Sequence, residues 1–190
     1  TDFTDELYRF VPHILFIIFF GIYLLLFFYM KSAILPLKAA IMNFLPILSA
    51  FGILTIIFQY GFLNTILNNQ PGTGVINMVP IILFSITFGL SMDYEVLILS
   101  RISESYENTG DTKTAVVEGL ARSGSLITGA VLILLGVFVP GIFSSAPMTK
   151  QICVGITSAI LIDATVVRLL LVPSFMMLMG KWNWWTPFSK

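Results

Sequence analysis

The sequence predicts an all-α polytopic membrane protein, a bundle of five transmembrane helices. Of its 190 residues, 57% are hydrophobic and 11% are charged, whereas soluble domains contain about 25% charged residues. The mean hydropathy is +0.94. Several apolar runs reach the roughly 20 residues that a helix needs to cross the hydrocarbon core of a bilayer. The chain has too little polar surface for a soluble domain, so we expect lipid to be its main solvent.

The predicted spans follow one another with short polar connections. An external lead-in of residues 1–10 precedes the bundle, which we expect to occupy residues 11–180. The expected spans are, in chain order, residues 11–30, 39–60, 78–100, 123–140 and 151–172. Residues 101–122 form the only densely charged segment, and we expect a cytoplasmic loop there. Within it, Asp111 is positioned to cap a short surface helix.

The last ten residues, 181–190, form a Trp-rich tail. Trp182, Trp184 and Trp185 cluster just past the last expected span. Tryptophan is enriched where a membrane meets water, because its ring has an apolar body and a polar N–H group. We therefore expect this tail to lie at the membrane interface.

The distribution of basic residues predicts the orientation of the bundle. Five spans place the two termini on opposite sides of the membrane. One side then has only two basic residues, Arg9 and Lys150, and the other has eight. The eight are Lys31, Lys38, Arg101, Lys113, Arg122, Arg168, Lys181 and Lys190. Because cytoplasmic segments carry an excess of Lys and Arg, we expect an external N-terminus and a cytoplasmic C-terminus.

Three of the ten acidic residues fall within the expected spans, Asp93, Glu95 and Asp163. A carboxylate at the membrane centre costs about 2.5–3.5 kcal/mol on insertion scales, so such residues generally face a protein interior or a water path. Ser85, Gly89 and Asp93 recur every four residues and share one helix face, where small residues allow a close neighbour. We therefore expect Asp93 to point into helix packing and to bind a proton.

The neighbouring polar groups leave more than one interpretation. Tyr94 lies about 100° round the helix from Asp93, where its hydroxyl can donate to a carboxylate on another helix. Glu95 is expected nearer the cytoplasm, in reach of water or Arg101. Asp163 precedes Arg168 by five residues, which does not make an i,i+4 pair in an α-helix, so we expect Arg168 to extend to the cytoplasmic face. Both Glu95 and Asp163 suit a structural hydrogen bond or a relay.

The chemistry that these carboxyl groups suggest is proton binding. A carboxyl group changes its proton affinity with burial and with nearby charges, and membrane pumps use acidic side chains in this way. We expect no cofactor other than the proton as coupling ion. We also expect no metal site, because the only His and the only Cys, His13 and Cys153, are far apart. The zero net charge gives no reason to expect a nucleic-acid partner.

Several longer motifs carry a family resemblance. Residues 88–96 read Phe-Gly-Leu-Ser-Met-Asp-Tyr-Glu-Val, after Val-Pro-Ile-Ile-Leu-Phe at 79–84 and before Leu-Ser-Arg-Ile at 99–102. Further along are Gly-Leu-Ala-Arg-Ser-Gly at 119–124 and Leu-Ile-Asp-Ala-Thr-Val-Val-Arg at 161–168. Together they closely resemble the MMPL family of the resistance–nodulation–division (RND) transporter superfamily. The resemblance covers nearly the whole chain.

The resemblance implies a fold and a function. Members of the family have twelve transmembrane helices in two pseudo-repeats, and this chain resembles helices eight to twelve, the C-terminal transmembrane half. Asp93 and Tyr94 match the Asp-Tyr pair of the family's tenth helix, which is half of its proton relay. The family implies proton-motive-force-driven export of lipids, drugs or other amphipathic molecules across the inner (cytoplasmic) membrane of a bacterium, and no enzyme activity.

The implied partners are the N-terminal half of the same transporter with its own Asp-Tyr pair, membrane lipids and a hydrophobic or amphipathic substrate. The oligomeric state stays open. The alternative function is a sterol- or lipid-sensing membrane domain, which shares the superfamily architecture and needs no proton cycling. An intramembrane aspartyl protease would need Asp93 and Asp163 to share a water, and the local sequence patterns do not resemble that family. A serine nucleophile at Ser123 or Ser125 lacks a candidate base.

Overall fold

The computed structural model describes residues 13, 16–17, 19–21, 23–28, 32, 34–67 and 74–185. Over these residues the chain consists of helices and the turns between them, as expected for an all-α protein. The expected lead-in of residues 1–10 and the last five residues of the Trp-rich tail lie outside the described residues.

Four long helices form the bundle. Helix α1 runs over Ile34–Gln59, α3 over Val79–Thr109, α4 over Thr112–Gly141 and α5 over Pro147–Met179. A single turn of helix, α2, spans Asn64–Leu67 between α1 and α3. Each long helix has the length and the apolar composition to cross a membrane. These helices correspond to the last four expected spans. Helices α4 and α5 extend past both ends of the expected range, α1 extends past its start and α3 past its end.

The first expected span, residues 11–30, is described only in part. Its described residues from 13 to 28 are helical, and Phe19–Phe28 is the apolar stretch. The Phe19 ring lies 5.3 Å from that of Phe44 on α1 and 6.2 Å from that of Phe88 on α3. Leu26 is fully buried. This segment therefore packs on α1 and α3, while the rest of the expected span lies outside the described residues.

The charged segment 101–122 is a helical hairpin, which corrects the expectation of a loop. Helices α3 and α4 extend through it, and only Gly110 and Asp111 separate them. Gly110 has a φ of 66° and ends α3 in the left-handed conformation, which glycine adopts without steric cost. Asp111 Oδ2 accepts hydrogen bonds from the Thr114 N–H at 2.9 Å and hydroxyl at 2.7 Å. The expected Asp111 cap is thus confirmed, on a much longer helix.

Packing along α4 changes near its middle. At its start the backbone of Gly119 approaches α3 so closely that an added Cβ would lie 2.8 Å from Ile102 Cα. Beyond Ser123 no residue of α4 is buried. In contrast, α1, α3 and α5 each bury a face along their length. The core therefore lies between α1, α3 and α5, with α4 attached to it mainly through the hairpin.

Helix α5 changes its winding where the site forms. It is α-helical over Pro147–Ile162, π-helical over Asp163–Leu171 and α-helical again over Val172–Met179. In a π-helix the backbone hydrogen bonds join residues five apart, as in the bond from the Val172 N–H to Val167 O. Residues five apart consequently lie on nearly the same face of this segment.

The tail returns onto the bundle as a short 3-10 turn, Gly180–Trp184. The Trp184 ring stacks on Tyr106 with 3.9 Å between ring centroids, and its Nε1 donates to Thr112 Oγ1 at 3.2 Å. Ser32 Oγ donates to the buried Asn183 O at 2.6 Å. These contacts tie the end of α5 both to the hairpin and to the start of α1. Trp182 and Trp185 remain exposed.

Candidate functional site

Five polar side chains meet in the interior of the bundle, and we call them the polar cluster. Asn43 comes from α1, Ser91 and Glu95 from α3, and Asp163 and Arg168 from α5. None of the five is more than 7% exposed. Polar and ionisable groups among membrane-spanning helices are costly to bury, and they mark ion pathways or relays more often than simple packing. This cluster is therefore the candidate site.

An ion pair forms the centre of the polar cluster. Arg168 Nη2 lies 2.5 Å from Asp163 Oδ2, and Arg168 Nε lies 3.0 Å from the same oxygen. The π-helical winding brings the two residues onto one face, although they are five positions apart. The expectation that Arg168 extends to the cytoplasmic face is wrong, because the α-helical rotation on which it rested does not apply here.

Ser91 and Asn43 join this ion pair to the neighbouring helices. Ser91 Oγ lies 2.8 Å from Asn43 Oδ1 and 3.1 Å from Asp163 Oδ2, so its single proton can go to either acceptor. Arg168 Nη2 also donates to the Ser91 backbone O at 3.0 Å. The guanidinium group therefore bridges α5 to α3, and the amide of Asn43 extends the network to α1.

Tyr94 contacts the ion pair through its ring. The guanidinium carbon of Arg168 lies 4.8 Å from the centroid of the Tyr94 ring. A cation over an aromatic face at this distance gains about 0.5–2 kcal/mol, with the larger values in dry surroundings. Tyr94 thus contacts the guanidinium group that the Asp163 carboxylate also holds.

Glu95 is buried, which corrects the expectation that it reaches surface water or Arg101. It is 7% exposed, its carboxyl group hydrogen-bonds to the Asn43 side chain, and its Oε2 has no hydrogen-bond partner among the described residues. Arg168, Asp163 and Lys38 are the charged groups whose electrostatic fields act on it. Lys38, half-buried on α1, directs its Nζ to Val172 O at 3.5 Å. With Lys38 included, the buried group has two basic and two acidic side chains.

Two small cavities flank the ion pair. Each has a volume of about 10 Å³, which is close to the least that one water molecule needs. The first lies between Glu95, Asn43 and the ion pair. The second lies between Thr87, Tyr94 and the ion pair. Four side-chain atoms of the bordering residues have no hydrogen-bond partner in the described structure, namely Thr87 Oγ1, Glu95 Oε2, Asp163 Oδ1 and Arg168 Nη1.

Asp93 lies on another face of α3, outside the polar cluster. Ser85, Gly89 and Asp93 line one groove, so the predicted shared face is confirmed. The groove also contains the apolar side chains of Leu25, Leu26, Phe84, Phe88, Met92 and Val96. Asp93 is exposed there. The expectation that Asp93 points into helix packing is therefore not met among the described residues, and Asp93 and Tyr94 face different surroundings.

Three residues of this site have only weak signals in the sequence. Asn43 is a lone amide in an apolar run, and Lys38 directly precedes the second expected span, which begins at residue 39. Arg168 was assigned to the surface because its distance from Asp163 suits a π-helix and not an α-helix. Nothing in the sequence indicates that winding. Among the described residues, no group of three His, Cys, Asp or Glu side chains is placed to hold a metal ion.

The architecture and the site define a class of protein, a multi-pass membrane protein with ionisable groups inside its helix bundle. A sequence model of the MMPL family matches residues 3–190 of the chain. The chain belongs to the MMPL family.

Named relatives support this assignment. The chain is 37% identical over 186 residues to a probable transport protein MmpL11 of Mycobacterium leprae, covering 98% of this chain and 18% of the relative. It is 36% identical to the mycolic acid-containing lipids exporter MmpL11 of Mycolicibacterium smegmatis, covering 98% and 19%. With the trehalose monomycolate exporter MmpL3 of the same organism, it shares 40% identity over 163 residues, covering 86% and 16%. The chain thus spans less than a fifth of these relatives.

Proposed function

We propose that this chain is the C-terminal transmembrane part of an exporter of lipids or other amphipathic molecules, driven by the proton-motive force. The observation that carries the proposal is the Asp163–Arg168 pair buried between three membrane-spanning helices and bordered by two cavities of water size. Relatives named as exporters of mycolic acid-containing lipids and of trehalose monomycolate support the substrate class.

Asp93 and Tyr94 form half of the proposed proton relay. Asp93 lies in a groove that is open in this chain, where the rest of a longer transporter has room to pack. Tyr94 follows it directly and lies against Arg168. A change of charge at Asp93 therefore acts on the adjacent Tyr94 and, through its ring, on the Asp163–Arg168 pair. The proposed partner of the groove is the N-terminal half of the same protein.

The buried ion pair supplies the link from protonation to helix movement. A proton on Asp163 would remove the negative charge that holds Arg168. Removing one partner of a buried pair costs about 3–5 kcal/mol, because the other charge is left uncompensated. The guanidinium group also bonds to α3 through Ser91 O. Arg168 would then bond to a different acceptor. Because its guanidinium group joins α5 to α3, that change would shift the two helices relative to each other.

The proposed setting is the inner membrane of a bacterium, with the N-terminus outside and the hairpin and C-terminus in the cytoplasm. The excess of basic residues on the hairpin side supports this orientation. A lipid-sensing domain of the same architecture would use the apolar groove without proton uptake, so proton coupling separates it from an exporter.

The decisive test is proton-driven export by the full-length parent reconstituted in liposomes. Asp93→Asn, which keeps the shape of the side chain and removes its ionisation, should abolish export while membrane insertion stays normal. Asp111→Asn is the matched control, since it makes the same change at an exposed helix cap that Asn also forms. Export that survives in Asp93→Asn would remove Asp93 from the relay, and the Asp163–Arg168 pair would become the first coupling candidate.

Tyr94 should tolerate one substitution and not another. Tyr94→Phe keeps the ring beside Arg168 and removes only the hydroxyl, so export should fall less than in Asp93→Asn. Tyr94→Leu also removes the aromatic face, which contributes about 0.5–2 kcal/mol to holding the cation. Export rates of the two variants, measured in the same liposomes, should therefore rank Phe above Leu. Equal rates would show that the contact with Arg168 has no part in transport.

A further inference from the structure

Glu95 is the one acidic member of the polar cluster that the Asp163–Arg168 pair leaves without a salt bridge. Its side chain is 7% exposed, and its Oε2 has no hydrogen-bond partner within the described part of the chain. The Asn43 side chain is the one hydrogen-bond partner of its carboxyl group among the described residues. A buried carboxylate with so few partners is costly to keep ionised, so such a group tends to take up a proton. Glu95 is therefore suited to both the ionised and the protonated form.

Glu95 and the ion pair border one cavity of about the volume of a water molecule. The cavity of about 10 Å³ is bordered by Glu95, Asn43, Asp163 and Arg168. Two atoms of these bordering residues, Asp163 Oδ1 and Arg168 Nη1, also have no hydrogen-bond partner in the described structure. A water needs two to four polar partners to be held in a buried site. These atoms, together with Glu95 Oε2, supply that number.

Lys38 adds a second positive charge near Glu95. It comes from α1, lies half-buried, and directs its Nζ at 3.5 Å to the backbone O of Val172, a residue that borders the same cavity as Glu95. Asp163 and Arg168, both on α5, are the other charged groups that act on Glu95. With all four groups ionised the set is neutral. A proton on Glu95 leaves it with a net positive charge.

We propose that Glu95 is a second proton-binding group of the bundle, connected to the Asp163–Arg168 pair through one water molecule and held in its ionised form by Lys38. The inference rests on the proposed function, in which the pair is protonated during transport. In the transfer, the Oε2 of Glu95 gains an O–H bond while the water that gives the proton loses one. That water regains a proton from Asp163, and no electrons are exchanged.

The test combines infrared spectroscopy with transport, both on the full-length parent. The carbonyl stretch of a protonated carboxylic acid is followed during a pH titration of the reconstituted protein. Glu95→Gln should lose one titrating band and shift the pH profile of export. Glu107→Gln is the matched control, since it makes the same change at an exposed position of α3. Glu95→Asp should retain a band, which separates loss of the carboxyl group from damage to the fold.

A charge-balance variant tests the role of Lys38. Lys38→Met alone leaves the buried set with an excess of negative charge, and export should fall. Adding Glu95→Gln restores neutrality, so the double variant should recover thermal stability relative to Lys38→Met. No recovery would overturn the pairing of Lys38 with Glu95.

The possible outcomes separate the two proposals. An unchanged set of bands in Glu95→Gln, with proton-driven export intact in the wild type, would overturn the Glu95 site and leave the proposed function standing. Export that ignores the pH gradient in the wild type would overturn the proposed function. The infrared titration would still decide in that case whether Glu95 binds a proton.

Discussion

The buried Asp163–Arg168 pair should be the most sensitive point of the bundle to substitution. Asp163→Asn leaves the guanidinium without its counter-charge, which costs about 3–5 kcal/mol for a pair of this kind. The double variant Asp163→Asn with Arg168→Met removes both charges and should be destabilised less than the sum of the two single changes. The midpoint of thermal unfolding of the full-length protein in detergent measures each effect.

An exposed pair on α3 is the control for that experiment. Arg101 Nη1 lies 3.0 Å from Glu104 Oε2, with side chains 45% and 52% exposed. Solvent-exposed pairs contribute about 0–1 kcal/mol, so Arg101→Gln should lower the midpoint little. If Asp163→Asn lowers the midpoint of thermal unfolding no more than Arg101→Gln does, the Asp163–Arg168 pair is open to water in the folded protein.

The same pair shows how far sequence reasoning reaches at the scale of residues. The sequence predicts Asp163 within the membrane and the shared face of Ser85, Gly89 and Asp93, because both follow from composition and α-helical spacing. It does not predict the pairing with Arg168, since that depends on nine residues of π-helix that no residue type requires. The burial of Glu95 was missed because it depends on α1 and α5, which are distant in sequence.

At the scale of helices, the hairpin between α3 and α4 depends on one small residue. A Cβ on Gly119 would lie 2.5 Å from Ile102 Cγ1 and 2.8 Å from Ile102 Cα. The backbone of α3 cannot yield as a side chain can, so Gly119→Ala should cost about 1–3 kcal/mol, as overpacking generally does. Thermal unfolding of the full-length protein checks this value.

Gly124 is the control for the hairpin, on the same helix five residues further on. An added Cβ there meets no atom of the described structure within 4 Å. Alanine is favoured over glycine by about 1 kcal/mol inside a helix, so Gly124→Ala should be neutral or stabilising in this bundle. The two variants differ in the sign of their effect. A loss of stability in Gly124→Ala would indicate that another segment covers that face.

The cap of α4 should make its first turn sensitive to acid. Two hydrogen bonds hold the pKa of Asp111 below its ordinary value. The bond from the Thr114 hydroxyl has the larger effect, and the bond from the Thr114 N–H adds to it. A carboxylate with a lowered pKa stabilises the folded state above its unfolded pKa of about 3.9, and this contribution is lost as the pH falls through the folded value. The protection of the Thr114 amide against hydrogen exchange, relative to an unstructured peptide at the same pH, should therefore fall at acidic pH.

Two substitutions isolate the charge from the cap. Asp111→Asn retains an N-cap acceptor but does not titrate, so the exchange protection of Thr114 should lose the pH dependence that comes from the cap. Asp111→Ala removes the acceptor, and Thr114 should exchange faster at every pH. An Asn variant with the same acid response as the wild type would assign that response to a different group.

Element boundaries explain most of the difference between expectation and structure at this scale. The spans were expected to stop where charged residues begin, at residue 100 and before residue 123. Helices α3 and α4 continue through the charged segment because its residues suit a helix and because Gly110 and Asp111 supply an end and a start. Charge predicts where the membrane ends, whereas capping determines where a helix ends.

At the scale of the whole molecule, the packing is one-sided. The polar cluster is enclosed by α1, α3 and α5, whereas the Asp93 groove and half of the residues of α4 are exposed. Exposed apolar surface is expected in lipid, but an exposed carboxylate in an apolar groove is costly there. The groove is therefore the face that a longer transporter has most reason to cover, in line with relatives of which this chain spans less than a fifth.

The orientation of the bundle is testable with single cysteines. Cys153 is buried in α5, and Cys153→Ala removes the one native thiol of this chain; any thiol elsewhere in a longer parent is removed in the same way. Lys113→Cys reports on the hairpin, and Ser145→Cys reports on the turn between α4 and α5; both positions are exposed. They lie at opposite ends of α4, which has the length and the apolar composition to cross a membrane. A membrane-impermeant maleimide should therefore reach only one of them in intact cells.

The basic residues indicate which thiol that should be. Six of the eight basic residues assigned to the cytoplasmic side remain even without Lys38 and Arg168, which take part in the buried charge network. The positive-inside rule then predicts a cytoplasmic hairpin. In intact cells the maleimide should label Ser145→Cys alone, and Lys113→Cys should react only after permeabilisation. The reverse labelling pattern would show that the bundle has the opposite orientation. Lys38 and Glu95 would then lie toward the outside of the cell, the side from which protons enter in the proposed function.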